Sequence, residues 1–426
     1  MTETSSQHLI EPRQENAEAF RLTRRSLVVG GLLLSCLRPS MVKAAPLDMD
    51  VVFAGVTLLG EHADLKFILP LTLSLLSKET AIGQRQVDKA FRKALKEHPP
   101  TNLRLVVDQV ASPEDAFVLA AALYFEDMGS FVSSAHGGDA IHYVFSELYG
   151  QAMLVDMSEM MIVQSYPFRI ANPGLQVEGT LTQARKEEIF YDFILGENWI
   201  KGDPFGVVFA KKIQNLEFKE RLDPLFMQVG EVNLEDRAIK TLNELDVDPK
   251  RYRKMLGYTL SASLSDKLQM PILPYRIDKT IGGALPTQFM NVEEVQGIKI
   301  PEANFLVDIT LRGFKRKVLA ESKIQERFVA GVYVRITVQD LREEKVIFDQ
   351  KMRVQTRKPF HVVLKKFRNE WKYYKDLMIL ACDRFAIAAG EPNSENLNLV
   401  GIRKPEKVST ALEQFLELSK AIAKCR

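Results

Sequence analysis

The chain has 426 residues, of which 46% are apolar, 26% charged and 9% aromatic, enough to bury a sizeable core and pointing to two domains. That composition excludes disorder, collagen and a disulfide scaffold. Lys plus Arg number 57 against 55 Asp plus Glu, a formal net charge of +2, which argues against nucleic-acid binding through bulk charge. Three cysteines, Cys36, Cys382 and Cys425, are too few for a stapled framework or a four-thiolate zinc site.

The N-terminal stretch Thr23-Arg24-Arg25-Ser26-Leu27-Val28 leads into an apolar run from Leu27 to Leu37 that contains Gly30 and Gly31. A charged region, a short apolar segment and small residues near a cut form the tripartite pattern of an export signal. The run is too short to span a bilayer, which needs about 20 residues as a helix. Arg24 and Arg25 ahead of a moderately apolar run, behind a long polar leader, resemble the bacterial twin-arginine signal.

Cleavage after Val42-Lys43-Ala44 would release a soluble chain near Ala45, with residues 1–44 as the leader. Leu33-Leu34-Ser35-Cys36 resembles a lipobox, in which Cys36 would carry the lipid, although Leu34 replaces the usual small residue. Losing 1–44 removes six basic residues (Arg13, Arg21, Arg24, Arg25, Arg38, Lys43) and four acidic ones (Glu3, Glu11, Glu15, Glu18), leaving 51 of each sign. No later segment is apolar for long enough to span a membrane. In an oxidising compartment Cys382 and Cys425 could pair, or stand as a buried thiol and a free tail thiol.

A strand is expected over Val51 to Leu58, then a helical segment from Pro70 to Leu95, interrupted near Gly83 and ended by Pro99-Pro100. Pro113-Glu114-Asp115-Ala116-Phe117-Val118-Leu119 opens a buried strand. A hairpin follows, with strands Gln151 to Asp156 and Met160 to Phe168, then a helix-like segment from Leu181 to Leu195. The divide falls near 215 to 222, giving a first domain over 45–218 and a second over 219–426. The second begins with a strand from Leu225 to Val232. Its helix is capped by Asp248, has Pro249 in the first turn, and repeats Leu256, Leu260, Leu264 and Leu268 on one face before Pro271 and Pro274 end it.

Pro301-Glu302-Ala303-Asn304-Phe305-Leu306-Val307 then matches the Pro113 block at an offset of 188. Asp340-Leu341-Arg342-Glu343-Glu344-Lys345-Val346-Ile347 matches Asp156-Met157-Ser158-Glu159-Met160-Met161-Ile162-Val163 at an offset of 184. The second hairpin runs Phe328 to Gln339 and Lys345 to Val354, and a helix covers Phe367 to Ala388. Each half reads strand, helix, short strand, long strand, hairpin, helix. The expected fold is α+β: two tandem two-layer sandwiches, each a mixed sheet with helices on one face, related by internal duplication.

This order, with the phrase Tyr333-Val334-Arg335-Ile336-Thr337-Val338-Gln339-Asp340-Leu341-Arg342-Glu343-Glu344-Lys345-Val346-Ile347, resembles bacterial envelope domains of the curli-secretion and penicillin-binding-protein-activator lipoprotein type. It is also similar to the amino-terminal domain of the Tol-system β-propeller protein. The resemblance covers mainly 225–390 and faintly 50–200, and it implies a periplasmic binding or assembly module. The membrane-inserting hairpins of the secretion channels have no counterpart, which speaks against a pore.

No nucleophile elbow, phosphate-binding loop or dinucleotide fingerprint occurs; Gly282-Gly283 falls in a loop. His136, Asp139 and His142, in His136-Gly137-Gly138-Asp139-Ala140-Ile141-His142, could meet a metal if that loop folds inward, and an exposed glycine-rich loop explains them more simply. Glu61 and Asp64 beside His62 read as solvated loop polarity. Between Lys351 and Asp376, nine basic side chains (Lys351, Arg353, Arg357, Lys358, Lys365, Lys366, Arg368, Lys372, Lys375) oppose only Glu370 and Asp376, with Phe360, Phe367, Trp371, Tyr373 and Tyr374 interleaved.

Such a stretch suits an envelope protein or an anionic envelope component, with Lys365, Lys366, Arg368, Trp371 and Lys372 as contacts. A helix with an aromatic core face and solvated lysines explains the same residues. Arg312, Lys315, Arg316 and Lys317 form a second basic cluster, which the repeat would bring to the same end of the sheet. The expected protein is a periplasmic, non-catalytic binding or assembly factor without cofactor. The alternative is a periplasmic enzyme or metalloprotein exported folded, with its site near His136, Asp139 and His142.

Overall fold

The computed structural model describes residues 47–60, 62–76, 85–109, 117–136, 139–172, 174–198, 202–218, 223–275, 284–289, 296–323, 325–361 and 370–426. All lie in one compact unit, Ala44–Arg426. The leader residues Arg24, Arg25 and Cys36 and both cleavage points lie outside the described residues. So does the connection at 219–222, where the expected domain boundary falls.

Strand β1 (Leu47–Leu59) is an apolar run with Val51, Phe53, Val56 and Leu58 all buried, the pattern of a strand covered on both faces. Three short helices follow: α1 (His62–Ile68), α2 (Pro70–Leu76) and α3 (Gln86–Glu97). In α3, Val87, Phe91, Ala94 and Leu95 form the buried stripe. Strand β2 (Leu103–Val106) lies parallel to β1 on one side and β3 (Phe117–His136) parallel on the other. Antiparallel β4 (Asp139–Asp156) and β5 (Met161–Ala171) extend the sheet, and β6 (Leu175–Glu178) pairs with β4. Helix α4 (Gln183–Leu195) starts on the Thr182 hydroxyl, which accepts from the Arg185 amide at 3.2 Å, and stops at Gly196 with φ 76°. Helix α5 (Phe205–Gln214) completes this half.

The second half runs β7 (Met227–Leu234), α6 (Asp236–Glu244), α7 (Pro249–Leu268), β8 (Ala284–Phe289), β9 (Gln296–Lys299), β10 (Phe305–Glu321), β11 (Gln325–Asp340), β12 (Lys345–His361), α8 (Glu370–Gly390), α9 (Ser394–Leu399) and α10 (Pro405–Cys425). Its sheet has the order β12-β11-β10-β7, with β7 parallel to β10 and the rest antiparallel. The first sheet has the order β2-β1-β3-β4-β5-β9-β8, and β8 also pairs with β1. Strands β8 and β9, from the second half of the sequence, therefore belong to the first sheet.

The register repeats in detail. Phe117 faces Asp156 as Phe305 faces Asp340. Tyr124 is the extra residue of a bulge in β3, and Arg312, 188 positions later, is the extra residue of the same bulge in β10. Val163 and Ile347, 184 apart, are the extra residues in β5 and β12. Both hairpin turns place a non-glycine residue in the left-handed region, Met160 at φ 50° and Glu344 at φ 49°. Each turn is held by the preceding aspartate: Asp156 accepts from the Ser158 amide at 2.8 Å, and Asp340 from the Arg342 amide at 3.0 Å.

Helices cover the two sheets differently. One face of the first sheet packs on α3, α4 and α5 through a ring cluster in which Phe168 and Phe91 meet Phe209 at 5.3 and 5.2 Å and Phe193 meets Phe205 at 6.0 Å. Its other face meets α7, where Tyr124 lies 4.2 Å from Tyr258. The second sheet buries Phe328, Val332, Val334, Ile336 and Val338 on its helix side, while Arg327, Tyr333 and Arg335 alternate on the open side.

Helix α7 begins as expected, with Asp248 accepting from the Lys250 amide at 2.8 Å and Pro249 in the first turn. It differs in its faces: Met255 through Ser265 are all buried, not only the leucine stripe. The polar residues can be buried because Thr259 and Ser261 donate to the carbonyls of Met255 and Gly257 at 2.8 and 3.0 Å, and Ser263 donates to Asp383 at 2.7 Å. A Cβ on Gly257 would run into the ring of Tyr275. Gly257→Ala is therefore expected to lower stability by about 1–3 kcal/mol, despite alanine's better helix propensity. A urea unfolding curve that shifts upward instead would contradict this packing.

Candidate functional site

The open face of the second sheet collects basic side chains because residues two apart on a strand share a face. Val329 stands between Lys317 on one side and Arg357 on the other, and Gly331 between Lys315 and Gln355. Neighbouring strands are about 4.8 Å apart, so Lys317 and Arg357 start from points about 10 Å apart. Arg327, Lys351 and Arg353 belong to the same face, and all six basic residues are exposed. Opposing them, Asp349 is held by a two-point pair with Arg335 at 2.7 and 2.6 Å, which raises the Arg335 pKa and lowers that of Asp349. Asp308 accepts from the Glu231 amide at 2.6 Å. The register thus unites the cluster around Lys315 with the basic part of β12.

The sequence-predicted contacts divide. Lys365, Lys366 and Arg368 lie outside the described residues. Trp371 is half-buried, edge-on to Tyr252 at 5.2 Å. Lys372 pairs with Asp376 at 3.2 Å and lies 5.7 Å from the centre of the Phe145 ring. Trp371 lines a cleft of about 490 Å³ with Phe67, Phe125, Phe145, Asp248 and Tyr252. Two of the cleft's charged groups are engaged within the fold. Arg251 donates to the carbonyls of Phe67 and Glu126 at 2.7 and 2.6 Å, and Asp248 caps α7.

Lys375, read from the sequence as part of the basic stretch, is buried at 1% exposure. It pairs with Asp127 of β3 and, at 3.1 Å, with Glu147 of β4. Glu147 also faces Arg169 at 3.4 Å and accepts from the Tyr149 hydroxyl at 3.0 Å. Burial by itself would pull the Lys375 ammonium down, but the two carboxylates outweigh it and hold it above the ordinary lysine range. Next to it, burial raises the Glu126 carboxyl, although the carboxyl accepts from the Leu71 amide at 2.7 Å, the Thr72 amide at 2.9 Å and the Thr72 hydroxyl at 2.6 Å. The sequence carried a signal for this network: Glu126 and Asp127 interrupt an apolar strand, and charges placed there need partners.

His136 and Asp139 face each other in the backbone register of the β3–β4 hairpin, and His142 faces Val132. The side chains of His136 and Asp139 lie outside what is described, as does Glu61. Asp64 pairs with Lys254 at 2.8 Å. Among the described residues, no group of three His, Cys, Asp or Glu side chains could hold a metal. Cys382 and Cys425 are both buried and form no disulfide with each other, and burial pushes the Cys382 thiol up. Among the described residues, no helix is long and apolar enough to cross a membrane.

No protein-family model matches the chain, and no curated protein matches it. Solved structures similar to parts of it include a neuraminyllactose-binding hemagglutinin homolog from Helicobacter pylori, at 12% identity over 45% of this chain and 94% of that one, with a TM-score of 0.25. A hypothetical protein from Chlamydia trachomatis is similar at 10% identity over 48% of this chain and 98% of its own, with a TM-score of 0.23. A minor lipoprotein from Acinetobacter baumannii is similar at 11% identity over 38% and 87%, with a TM-score of 0.17.

The pair formed by Lys375 carries a pH signature. Because its folded pKa is raised, its stabilisation is complete below the ordinary lysine value of 10.5 and is lost as pH rises through the folded value. Lys375→Met is expected to lower stability by about 3 kcal/mol, since it takes the cation from half-buried Asp127 and leaves buried Glu147 with Arg169 and the Tyr149 hydroxyl alone. Its unfolding free energy should also fall less steeply than that of wild type above pH 10.5, the decline due to the buried tyrosines Tyr124, Tyr149 and Tyr252 remaining in both. Equal declines in both proteins, measured by urea denaturation across that range, would contradict the assignment.

Proposed function

We propose that the chain is an exported, non-catalytic binding or assembly factor of the bacterial envelope, acting through the basic open face of its second sheet. The carrying observation is that β10, β11 and β12 align Lys315, Lys317, Arg327, Lys351, Arg353 and Arg357 on one exposed face. Its acidic members are fewer: Asp349, paired with Arg335, Asp308, which accepts from the Glu231 amide, and the exposed Glu231 beside it. A predominantly basic face attracts an oppositely charged partner and steers its approach. The paired Arg24 and Arg25 ahead of the Leu27–Leu37 run support export through the twin-arginine route to the periplasm, with the mature chain soluble from about Ala45 or anchored through Cys36.

The partner is expected to be an acidic envelope protein or another anionic envelope component. Exposed positions tolerate charge reversal without loss of fold, so Lys351→Glu with Arg357→Glu should leave the unfolding curve in place. The same pair should cut retention of envelope material on the immobilised protein by about tenfold, and the residual binding should lose its salt dependence. Retention unchanged by the reversal would remove the basic face from the reading. The intact mass of the protein from the periplasm of its native host would show cleavage near Ala45 or lipid on Cys36. Recovery of the chain only from the cytosol, with residues 1–44 still attached, would remove the export part.

A further inference from the structure

The end of the β10–β11 ribbon differs from the rest of the basic face. Strand β7 supports β10 only from Phe305 to Leu311, whereas β10 and β11 stay paired out to Glu321 and Glu326. The two strands therefore continue for about ten residues, roughly 30 Å of strand, beyond β7, with β12 alongside β11 as far as His361. Near its end a second bulge, at Leu319, breaks the register between Val318 facing Phe328 and Ala320 facing Arg327. Val318 and Leu319 are 41% and 51% exposed, and they are adjacent large apolar side chains.

Their surroundings are cationic. Lys315, Lys317, Lys323, Arg327 and Arg357 are exposed, and among the described residues none of them forms an ion pair. Of the acidic residues at this end, Glu326 is buried at 3% and held by Arg316, which also faces Glu370 at 3.6 Å. Glu321 is exposed. Exposed apolar side chains close to the end of the sheet, flanked by lysine and arginine, fit a surface that is anionic outside and apolar a few ångströms below. A soluble polyanion would account for the basic residues but leaves Val318 and Leu319 in water.

We propose that this end of the sheet docks on an anionic lipid bilayer, with Val318 and Leu319 entering the interface and Lys315, Lys317, Lys323, Arg327 and Arg357 meeting the headgroups. The inference rests on the reading of the basic face as a contact surface and adds its occupant.

The test uses the full chain and sedimented vesicles of phosphatidylcholine with and without phosphatidylglycerol. Wild type should bind the anionic vesicles at least tenfold more tightly than the neutral ones. Val318→Asp with Leu319→Asp should lower anionic-vesicle binding about tenfold, as should Lys315→Glu with Lys317→Glu, with urea unfolding unchanged in both. A Leu319→Trp variant should gain fluorescence quenched by brominated acyl chains, a readout that the apolar Leu27–Leu37 run cannot mimic. Absence of that quenching, or a loss on charge reversal with none on V318D/L319D, would overturn insertion and leave a polyanion-binding face. Vesicle binding that fails while envelope retention still depends on Lys351 and Arg357 would sink this inference and spare the proposed function.

Discussion

The arrangement depends on a helical layer that two sheets share, and that layer is possible because its polar groups find partners inside it. Helix α7 touches β5 of the first sheet and β7 of the second, so from Met255 to Ser265 no face is left for water. A helix buried all round would ordinarily be apolar throughout. Here Thr259 and Ser261 return their hydroxyl protons to the preceding turn, and Ser263 gives its own to Asp383 of α8. Small side chains also let neighbours approach closely, as Tyr275 does at Gly257. Lys375 adds a polar tie from α8 to β3 and β4, and its two carboxylates make the contact specific to one docking position.

The same strand order and the same bulges serve two different environments. In the first sheet both faces are covered, so β1 and the first part of β3 are apolar at nearly every position. In the second, helices lie on one face, so β11 alternates except at buried Gly331 and its open positions are free to be charged. The exchange of β8 and β9 into the first sheet follows the same asymmetry. That sheet gains an antiparallel neighbour, β8, at β1 and a parallel one, β9, at β5, while the second sheet ends at β7. Only the sheet that stayed single-sided can present a polar surface.

Much of this was legible in the sequence. The offsets of 188 and 184 anticipated both the register and the equivalent turns, because Asp156 and Asp340 each hold the same kind of turn. Asp248 and Pro249 marked the start of α7 because capping is a local property. The sheet joined by β8 and β9 was not legible, since a short strand carries no record of its partner. Nor was the burial of Lys375: in sequence it sits among basic and aromatic residues, and only the fold brings Asp127, 248 positions away, against it. The basic face was legible in its two segments. Their union needed the register that sets Lys317 and Arg357 on either side of Val329.

Charged residues on an open sheet can have a simpler purpose, which is to keep the sheet from pairing with another. That purpose is served best near edges and by mixed signs, because like charges on one face repel each other and lower stability. The observed face departs from both expectations. Its basic residues occupy the central strand as well as its neighbours, at Arg327, Lys317 and Arg357, and its aspartates are used up in local bonds. The outer edge of β12 is meanwhile protected by other means: the Arg353 amide donates to Val400 at 3.0 Å, and the Asp349 amide to Gln414 at 3.2 Å. With that part of the edge already covered, protection from pairing does not by itself account for a face on which basic residues predominate, and the proposed contact with an anionic partner rests on that excess.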